Sequence, residues 1–140
     1  EFFQLRGDPA LRAAVRVTPA NGWHAPEGLR GHHWRWSKER AELRIANNAV
    51  PPVALTVRGR AGSASDLRRL RISIGERLVW DGEIGKGRSE IRFECLLPPG
   101  ESVPIFASDK PAEKVGTDSR ELAFRVSNLE IVVQPAGGTR

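Results

Sequence analysis

The sequence predicts an all-β protein, a single antiparallel β-sandwich of the jelly-roll type with about eight strands. In most segments apolar residues recur at every second position, which is the pattern of strands that bury one face. Clusters of Gly, Pro, Asn and Ser separate these segments at short intervals, as is typical of β-sandwiches. No segment shows a sustained 3.6-residue period, so we expect at most one helical turn, within residues 8–14.

Five segments carry the alternation most clearly. In chain order, their apolar positions are Ala41, Leu43 and Ile45; Val53, Leu55 and Val57; Leu70, Ile72 and Ile74; Ile91, Phe93 and Cys95; and Leu122, Phe124 and Val126. The predicted breaks lie at residues 47–48, 51–52, 59–65, 98–100 and 110–111. Residues 77–82 are predicted to form a strand that ends in an Asp81–Gly82 turn.

The last segment contains an irregularity. Its apolar positions change parity, from Leu122, Phe124 and Val126 to Leu129, Ile131 and Val133. One regular strand cannot bury both sets on the same face, so Ser127 and Asn128 should form a bulge or a tight turn.

The chain is interpreted as one domain, residues 1–140, with residues 1–12 and 135–140 irregular. Because it begins without Met or a secretory leader, we expect it to be a piece of a larger protein. No apolar run approaches the ~20 residues that a membrane-spanning helix needs.

The charge pattern argues against a nucleic-acid partner. The formal net charge is +5, and the 22 basic residues are mostly arginines spread along the chain rather than clustered. The densest run contains Arg68, Arg69 and Arg71, and alternation along a strand would divide even these between two faces.

We expect no metal, no cofactor and no catalytic residue. The histidines are His24, His32 and His33, and the last two are neighbours that would point to opposite faces of a strand. Residues 62–65 lack the spacing of a nucleophile elbow, and residues 85–89 lack the first glycine of a phosphate-binding loop. Both stretches are therefore interpreted as turns.

The run Trp34-Arg35-Trp36 has two interpretations. On a strand the two tryptophans share one face, and Arg35 takes the other. Packing of both rings in the core or under its rim is favoured over stacking on a ligand. Trp23, in a loop, and Trp80, at a strand end, are predicted to be the more exposed tryptophans.

Two separated blocks resemble a known family. The first is Gly22-Trp23-His24-Ala25-Pro26-Glu27 with His33-Trp34-Arg35-Trp36-Ser37, and the second runs from Asp118-Ser119-Arg120-Glu121-Leu122-Ala123-Phe124 to Ile131. Together they resemble the β-sandwich accessory domain of bacterial cell-envelope glycosyltransferases and related polysaccharide-biosynthesis proteins. Ser119 and Ala123 stand where that family usually has Pro and Gly.

The resemblance implies an envelope-associated, extracytoplasmic module of a membrane protein without chemistry of its own. Its implied partners are a glycan or lipid-linked sugar and the parent enzyme domain or membrane region. The expected function is carbohydrate binding or an accessory role in glycan assembly. The alternative is a structural or protein-interaction sandwich that packs on its parent enzyme without binding a ligand.

Two sets of site residues follow. Four charges beside apolar segments should form a structural staple, in which Glu27 or Asp118 pairs with Arg35 or Arg120. A glycan-binding loop would combine an indole face with hydrogen-bonding groups, and such groups occur together at Trp23, His24, Glu27, His32 and His33.

Overall fold

The protein is an all-β sandwich. A computed structural model describes residues 1–50 and 52–137, so the break predicted at Pro51 and the end of the irregular tail, residues 138–140, lie outside the described residues. The elements are β1 (Phe3–Gly7), α1 (Pro9–Ala14), β2 (Val15–Pro19), β3 (Glu27–Leu29), β4 (His32–Trp36), β5 (Arg40–Asn47), β6 (Val53–Ser63), β7 (Arg68–Ile74), β8 (Arg77–Ile84), β9 (Ser89–Leu97), β10 (Gly100–Ser102), β11 (Pro104–Ser108), β12 (Glu113–Lys114), β13 (Glu121–Leu122) and β14 (Phe124–Pro135).

Two six-stranded sheets form the sandwich. Sheet I has the order β3-β4-β14-β6-β9, and β1 pairs in parallel with the second half of β14. Sheet II has the order β10-β5-β11-β7-β8, and β2 pairs with β5. The short strands β12 and β13 form a separate hairpin. Among the described residues, no helix is long and apolar enough to cross a membrane.

The core lies between the inner faces of the two sheets. It contains the apolar positions of the predicted strands, such as Leu43 in β5, Leu55 in β6 and Ile72 in β7, each at most 2% exposed. The alternation that predicted these strands therefore reports which face of each one is buried.

The predicted irregularity in the last strand is a β-bulge. The register of β14 against β6 shifts between Ser127 and Glu130, and Asn128 has a φ of 47°. The bulge places Leu129 over Gly59 of β6, where an added Cβ would lie 2.5 Å from the Leu129 side chain. The glycine therefore allows the close approach instead of ending the strand. Because β6 continues to Ser63, the break predicted at residues 59–65 is wrong for residues 59–63.

The prediction that residues 1–12 are irregular is also wrong. Phe2 is buried in the core, and residues 3–7 form β1. After β1, the Asp8 side chain accepts hydrogen bonds from the backbone of Ala10 and Leu11 and begins the short helix α1. The pairing of β1 with β14 is long-range, so the local sequence pattern does not show it.

The predicted Asp81–Gly82 turn is also absent. Strand β8 continues through both residues to Ile84, with an irregularity against β7 near Ile72 and Ser73. The Trp80 ring lies beside Gly82, where an added Cβ would approach it to 2.8 Å. Trp80 is thus half-buried and packs against the core, contrary to its predicted exposure.

One arginine lies inside the sandwich. The Arg68 side chain is fully buried, and its Nε donates to Ser63 Oγ at 2.9 Å. One terminal nitrogen donates to Ser108 Oγ and the Lys110 carbonyl, at 3.0 and 3.1 Å, and the other lies 3.4 Å from Glu113 Oε2. Burial lowers the pKa of Arg68, and these partners compensate for the lost hydration.

Candidate functional site

Strand β4 turns both of its tryptophans away from the core. Arg35 lies directly opposite Val126, a fully buried core residue, so Arg35 faces inward. Trp36 lies opposite Arg125 and Trp34 opposite Ser127, on the outer face of sheet I. The prediction that both rings pack in the core is wrong, because alternation shows that Trp34 and Trp36 share a face but not which face is buried.

Arg125 lies against both indole rings. Its guanidinium carbon is 5.3 Å from the Trp36 ring centroid and 5.7 Å from the Trp34 centroid, within the range of cation–π contacts. The three side chains belong to adjacent strands and form a stack on the outer face, half-exposed to solvent.

His32 extends the stack at the start of β4. Its ring meets the Trp34 ring edge-on, with centroids 6.2 Å apart, and its Nδ1 lies 3.4 Å from an Arg88 guanidinium nitrogen. A guanidinium only donates, so Nδ1 accepts this bond and the proton of the neutral ring is on Nε2. His32 Nε2 and Trp34 Nε1 are both shielded from solvent and have no hydrogen-bond partner among residues 1–50 and 52–137.

Positive charge surrounds this cluster. Arg60 lies opposite Ser127 in the same row as Trp34. The pKa of His32 is lowered by desolvation and by the charges of Arg88, Arg125 and Arg60, so the ring is neutral near pH 7. We call the group formed by His32, Trp34, Trp36, Arg60, Arg88 and Arg125 the Trp–Arg face.

Trp23 is not available as a stacking platform. Its ring packs against Phe2, Phe106 and Phe124, with centroid distances of 5.0 to 6.3 Å. Its indole N–H donates to the Glu42 carbonyl at 2.9 Å. Trp23 closes one end of the core, so its predicted exposure is wrong.

His24 and Glu27 are tied to other parts of the chain. The His24 Nε2 lies 2.8 Å from the Glu121 carbonyl. Glu27 Oε2 accepts from Arg120 at 2.9 Å, and Asp118 binds the same guanidinium through both carboxylate oxygens, at 2.8 and 3.0 Å. Hydrogen bonds from Arg120 lower the pKa of Asp118 to about 2 and hold it ionised.

The expected staple therefore has Arg120 at its centre. It joins β3 to the segment before β13, and Arg35 does not take part. Arg35 instead forms a salt bridge with Glu1 at 2.8 Å, lies over the Phe2 ring and donates to the His24 carbonyl at 3.3 Å. The inward orientation of Arg35 separates it from Asp118 and Glu27.

His33 points away from His32, into a cleft of about 560 Å³ where β4 and β1 meet the bulge of β14. The His33 backbone N–H donates to Asn128 Oδ1 at 3.0 Å, and Glu130 and Gln4 line the same cleft. The structure thus distributes the five predicted ligand residues over four places, and only His32 lies on the Trp–Arg face.

Sequence reasoning missed Arg60, Arg88 and Arg125 as site residues. The Trp34-Arg35-Trp36 run indicated the right strand, but the arginines that accompany it come from three distant segments. No spacing in the sequence shows this, because the register of β14 between β4 and β6 places Arg125 and Arg60, and the loop before β9 places Arg88 beside His32. Within residues 1–50 and 52–137, no group of three His, Cys, Asp or Glu side chains could hold a metal ion.

Solved structures with a similar fold are carbohydrate-binding modules. The CBM22-1 xylan-binding domain of Xyn10C from Paenibacillus barcinonensis superimposes with a TM-score of 0.53 and 10% identity, covering 86% of each chain. A family 35 carbohydrate-binding module from an environmental isolate gives a TM-score of 0.52 and 10% identity, covering 89% of this chain and 99% of the module.

The GH26-CBM35 β-(1,4)-mannanase of Podospora anserina gives a TM-score of 0.51 and 8% identity over 91% of this chain. The chain spans 29% of that enzyme's length. No protein-family model and no curated protein sequence matches the chain. At such low identity these similarities establish the β-sandwich fold alone.

Proposed function

We propose that this domain binds carbohydrate without catalysing a reaction, and that the Trp–Arg face is its binding surface. The observation that carries the proposal is the stack of Trp34, Arg125 and Trp36 on an open sheet face. Indole rings offer an apolar surface to the C–H faces of sugars, and the guanidinium supplies hydrogen-bond donors to their oxygens. The fold shared with carbohydrate-binding modules supports the same function.

The location of the stack is consistent with binding rather than packing. The rings are half-buried, but unlike Trp23 and Trp80 they do not pack against the hydrophobic core. Large aromatics that remain on an outer face while polar groups converge on them are typical of recognition surfaces.

We further propose that the domain belongs to a bacterial envelope protein of glycan assembly, with a glycosyltransferase as its parent enzyme and an extracytoplasmic location. The support for this context is the resemblance of the blocks at residues 22–37 and 118–131 to the accessory domains of such proteins. The sequence adjoining this chain in its parent gene tests it, because a catalytic glycosyltransferase region should be encoded there. A parent protein with only secreted hydrolase regions would contradict this context.

Binding itself is tested by affinity electrophoresis and calorimetry with a panel of neutral and acidic soluble polysaccharides. We expect weak binding from a shallow platform, in the range of about 0.1–1 mM. Trp36→Ala should remove binding while leaving the core intact, because the ring lies outside it. Arg92→Ala is the matched control, since Arg92 lies on the same sheet face but is ion-paired with Glu94 at 2.8 Å.

If no polysaccharide in the panel binds, the carbohydrate-binding proposal fails. The domain would then be better described as a structural or protein-interaction sandwich. Equal loss of binding in Trp36→Ala and Arg92→Ala would place the binding surface elsewhere.

A further inference from the structure

The Trp–Arg face offers hydrogen-bond donors and no acceptor that remains free. Arg60, Arg88 and Arg125 carry guanidinium groups, which only donate. The unpartnered atoms, Trp34 Nε1 and His32 Nε2, are donors as well, the latter because Nδ1 is engaged by Arg88, but both are shielded from solvent, so the guanidinium groups are the donors open to a ligand. Two carboxylates border the face: Glu27, opposite Trp34, is already bound to Arg120, and Glu90, opposite Arg60, forms no salt bridge with it among the described residues.

The positive charge of the face is not neutralised by the protein. Among the described residues, Arg60, Arg88 and Arg125 form no salt bridge. The Arg125 guanidinium lies over the two indoles, and the charge of Glu27 only partly offsets its desolvation and the charge of Arg88. Desolvation and the charge of Arg88 lower the pKa of Arg125, so the arginines repel one another. Elsewhere on the same sheet face, Arg92 pairs with Glu94 and Arg6 with Glu130.

We propose that the Trp–Arg face recognises an acidic glycan, one whose sugar units carry a carboxylate or a sulfate, an inference that rests on the proposed function. The anion would lie between the guanidinium groups of Arg60, Arg88 and Arg125, while a sugar ring contacts Trp34 or Trp36. Guanidinium groups form their strongest, bidentate hydrogen bonds with such planar or multi-oxygen anions. A ligand of this kind supplies acceptors and negative charge, both of which this face lacks.

The size of the cationic area favours a glycan over a nucleic acid. Beyond Arg60 the positive charge is interrupted by carboxylates. Glu90 lies opposite Arg60, and in the next row Arg58 lies opposite Glu130 while Arg92 is paired with Glu94. A nucleic-acid strand needs a continuous basic track along its phosphates, whereas one or two acidic sugars need only a local anion site. The positive area of the Trp–Arg face is small enough to be such a local anion site.

The experiment compares each acidic glycan with a form in which only the charge is removed. The probes are polygalacturonate and its methyl ester, alginate and its propylene glycol ester, dextran sulfate and dextran, and a thymidine oligonucleotide as a non-glycan polyanion. Dissociation constants are measured by calorimetry at physiological ionic strength for the parent domain, Arg60→Ala and Arg125→Ala, with Arg92→Ala as the control. The carboxylate and sulfate probes distinguish the two sources of the anion.

We expect at least one acidic probe to bind about ten-fold more tightly than its uncharged form, which corresponds to one strong charge-assisted hydrogen bond. Arg60→Ala and Arg125→Ala should each weaken that binding by about the same factor, and Arg92→Ala should leave it unchanged. Arg60 is exposed, so its variant tests the inference even if Arg125→Ala alters the stack.

A second measurement follows His32 directly. The pKa of His32, read from the chemical shifts of its ring protons, should rise when the acidic probe is bound. The anion neutralises the charges of Arg88, Arg125 and Arg60, which together with His33 lower this pKa in the free domain. No rise on saturation with a bound acidic probe would contradict the proposed site.

Three further outcomes would overturn the acidic-glycan inference. Equal or tighter binding of the uncharged forms overturns the acidic-glycan inference and leaves carbohydrate binding in place. Oligonucleotide binding as tight as that of the best acidic glycan shows attraction to polyanions in general and also overturns it. If no probe of any charge binds, the inference and the proposed function fail together.

Discussion

Arg68 and Arg125 show two opposite uses of the same side chain. Arg68 lies inside the sandwich, where Ser63, Ser108, the Lys110 carbonyl and Glu113 engage all three of its guanidinium nitrogens. Arg125 lies on the outer face over two indoles and, within the part of the chain that the structure describes, forms no salt bridge. A buried arginine with matched acceptors stabilises a fold, while a half-exposed one with unused donors can serve a ligand.

The largest expected effect comes from the buried arginine. Arg68→Ala should lower the free energy of unfolding by about 3–5 kcal/mol, because it leaves a cavity and buried acceptors without donors. Chemical denaturation measures this. Arg69→Ala is the neighbouring control and should cost about 1 kcal/mol or less, since its ion pair with Asp81 is partly exposed. Similar losses for the two variants would show that Arg68 is not a structural centre.

The Arg120 staple should have an intermediate effect. Arg120→Ala breaks the bonds to Asp118 and Glu27 and should cost about 1–2 kcal/mol, a value reduced for the partial exposure of all three groups. Arg40→Ala provides the comparison, because its contact with Glu42 is long, at 3.8 Å, and exposed. If both variants unfold at the same denaturant concentration, the staple contributes nothing to stability.

The staple also predicts an acid dependence. Because the folded-state pKa of Asp118 is lowered to about 2, its contribution to stability is complete above its unfolded pKa of ~4 and is lost as the pH falls toward 2. The melting temperature of the parent should therefore fall as the pH is lowered across this interval. The decline should be shallower in Asp118→Asn, and identical slopes would contradict the assignment.

The smallest effect is expected on the outer face. Arg125→Ala removes cation–π contacts but also relieves repulsion from Arg88, so the unfolding free energy should change by about 1 kcal/mol or less. In the same variant the pKa of His32 should move up toward its ordinary value, because one of the charges that lower it is gone. A loss of unfolding free energy as large as that of Arg68→Ala would show that Arg125 stabilises the fold as Arg68 does.

Much of the fold could be predicted because burial of one strand face is recorded locally. The alternation at Leu43, Leu55, Ile72 and Phe93 identified core strands, and the parity change near Ser127 located the bulge of β14. The breaks predicted at Gly59 and Gly82 failed for a common reason. Each glycine leaves space for a side chain, Leu129 or Trp80, whose position depends on the folded sheet.

The site was less predictable than the fold. The sequence by itself determined that Trp34 and Trp36 share one face and that Arg35 and His33 take the other, because side chains alternate along a strand whatever surrounds it. Only the tertiary structure decided that the tryptophans face solvent, because this depends on the pairing of Val126 with Arg35 in a strand ninety residues away. The same long-range register placed Arg125 over the indoles and Arg60 one strand further on, and the loop before β9 placed Arg88 beside His32, since sheet neighbours are selected by pairing and burial rather than by distance along the chain.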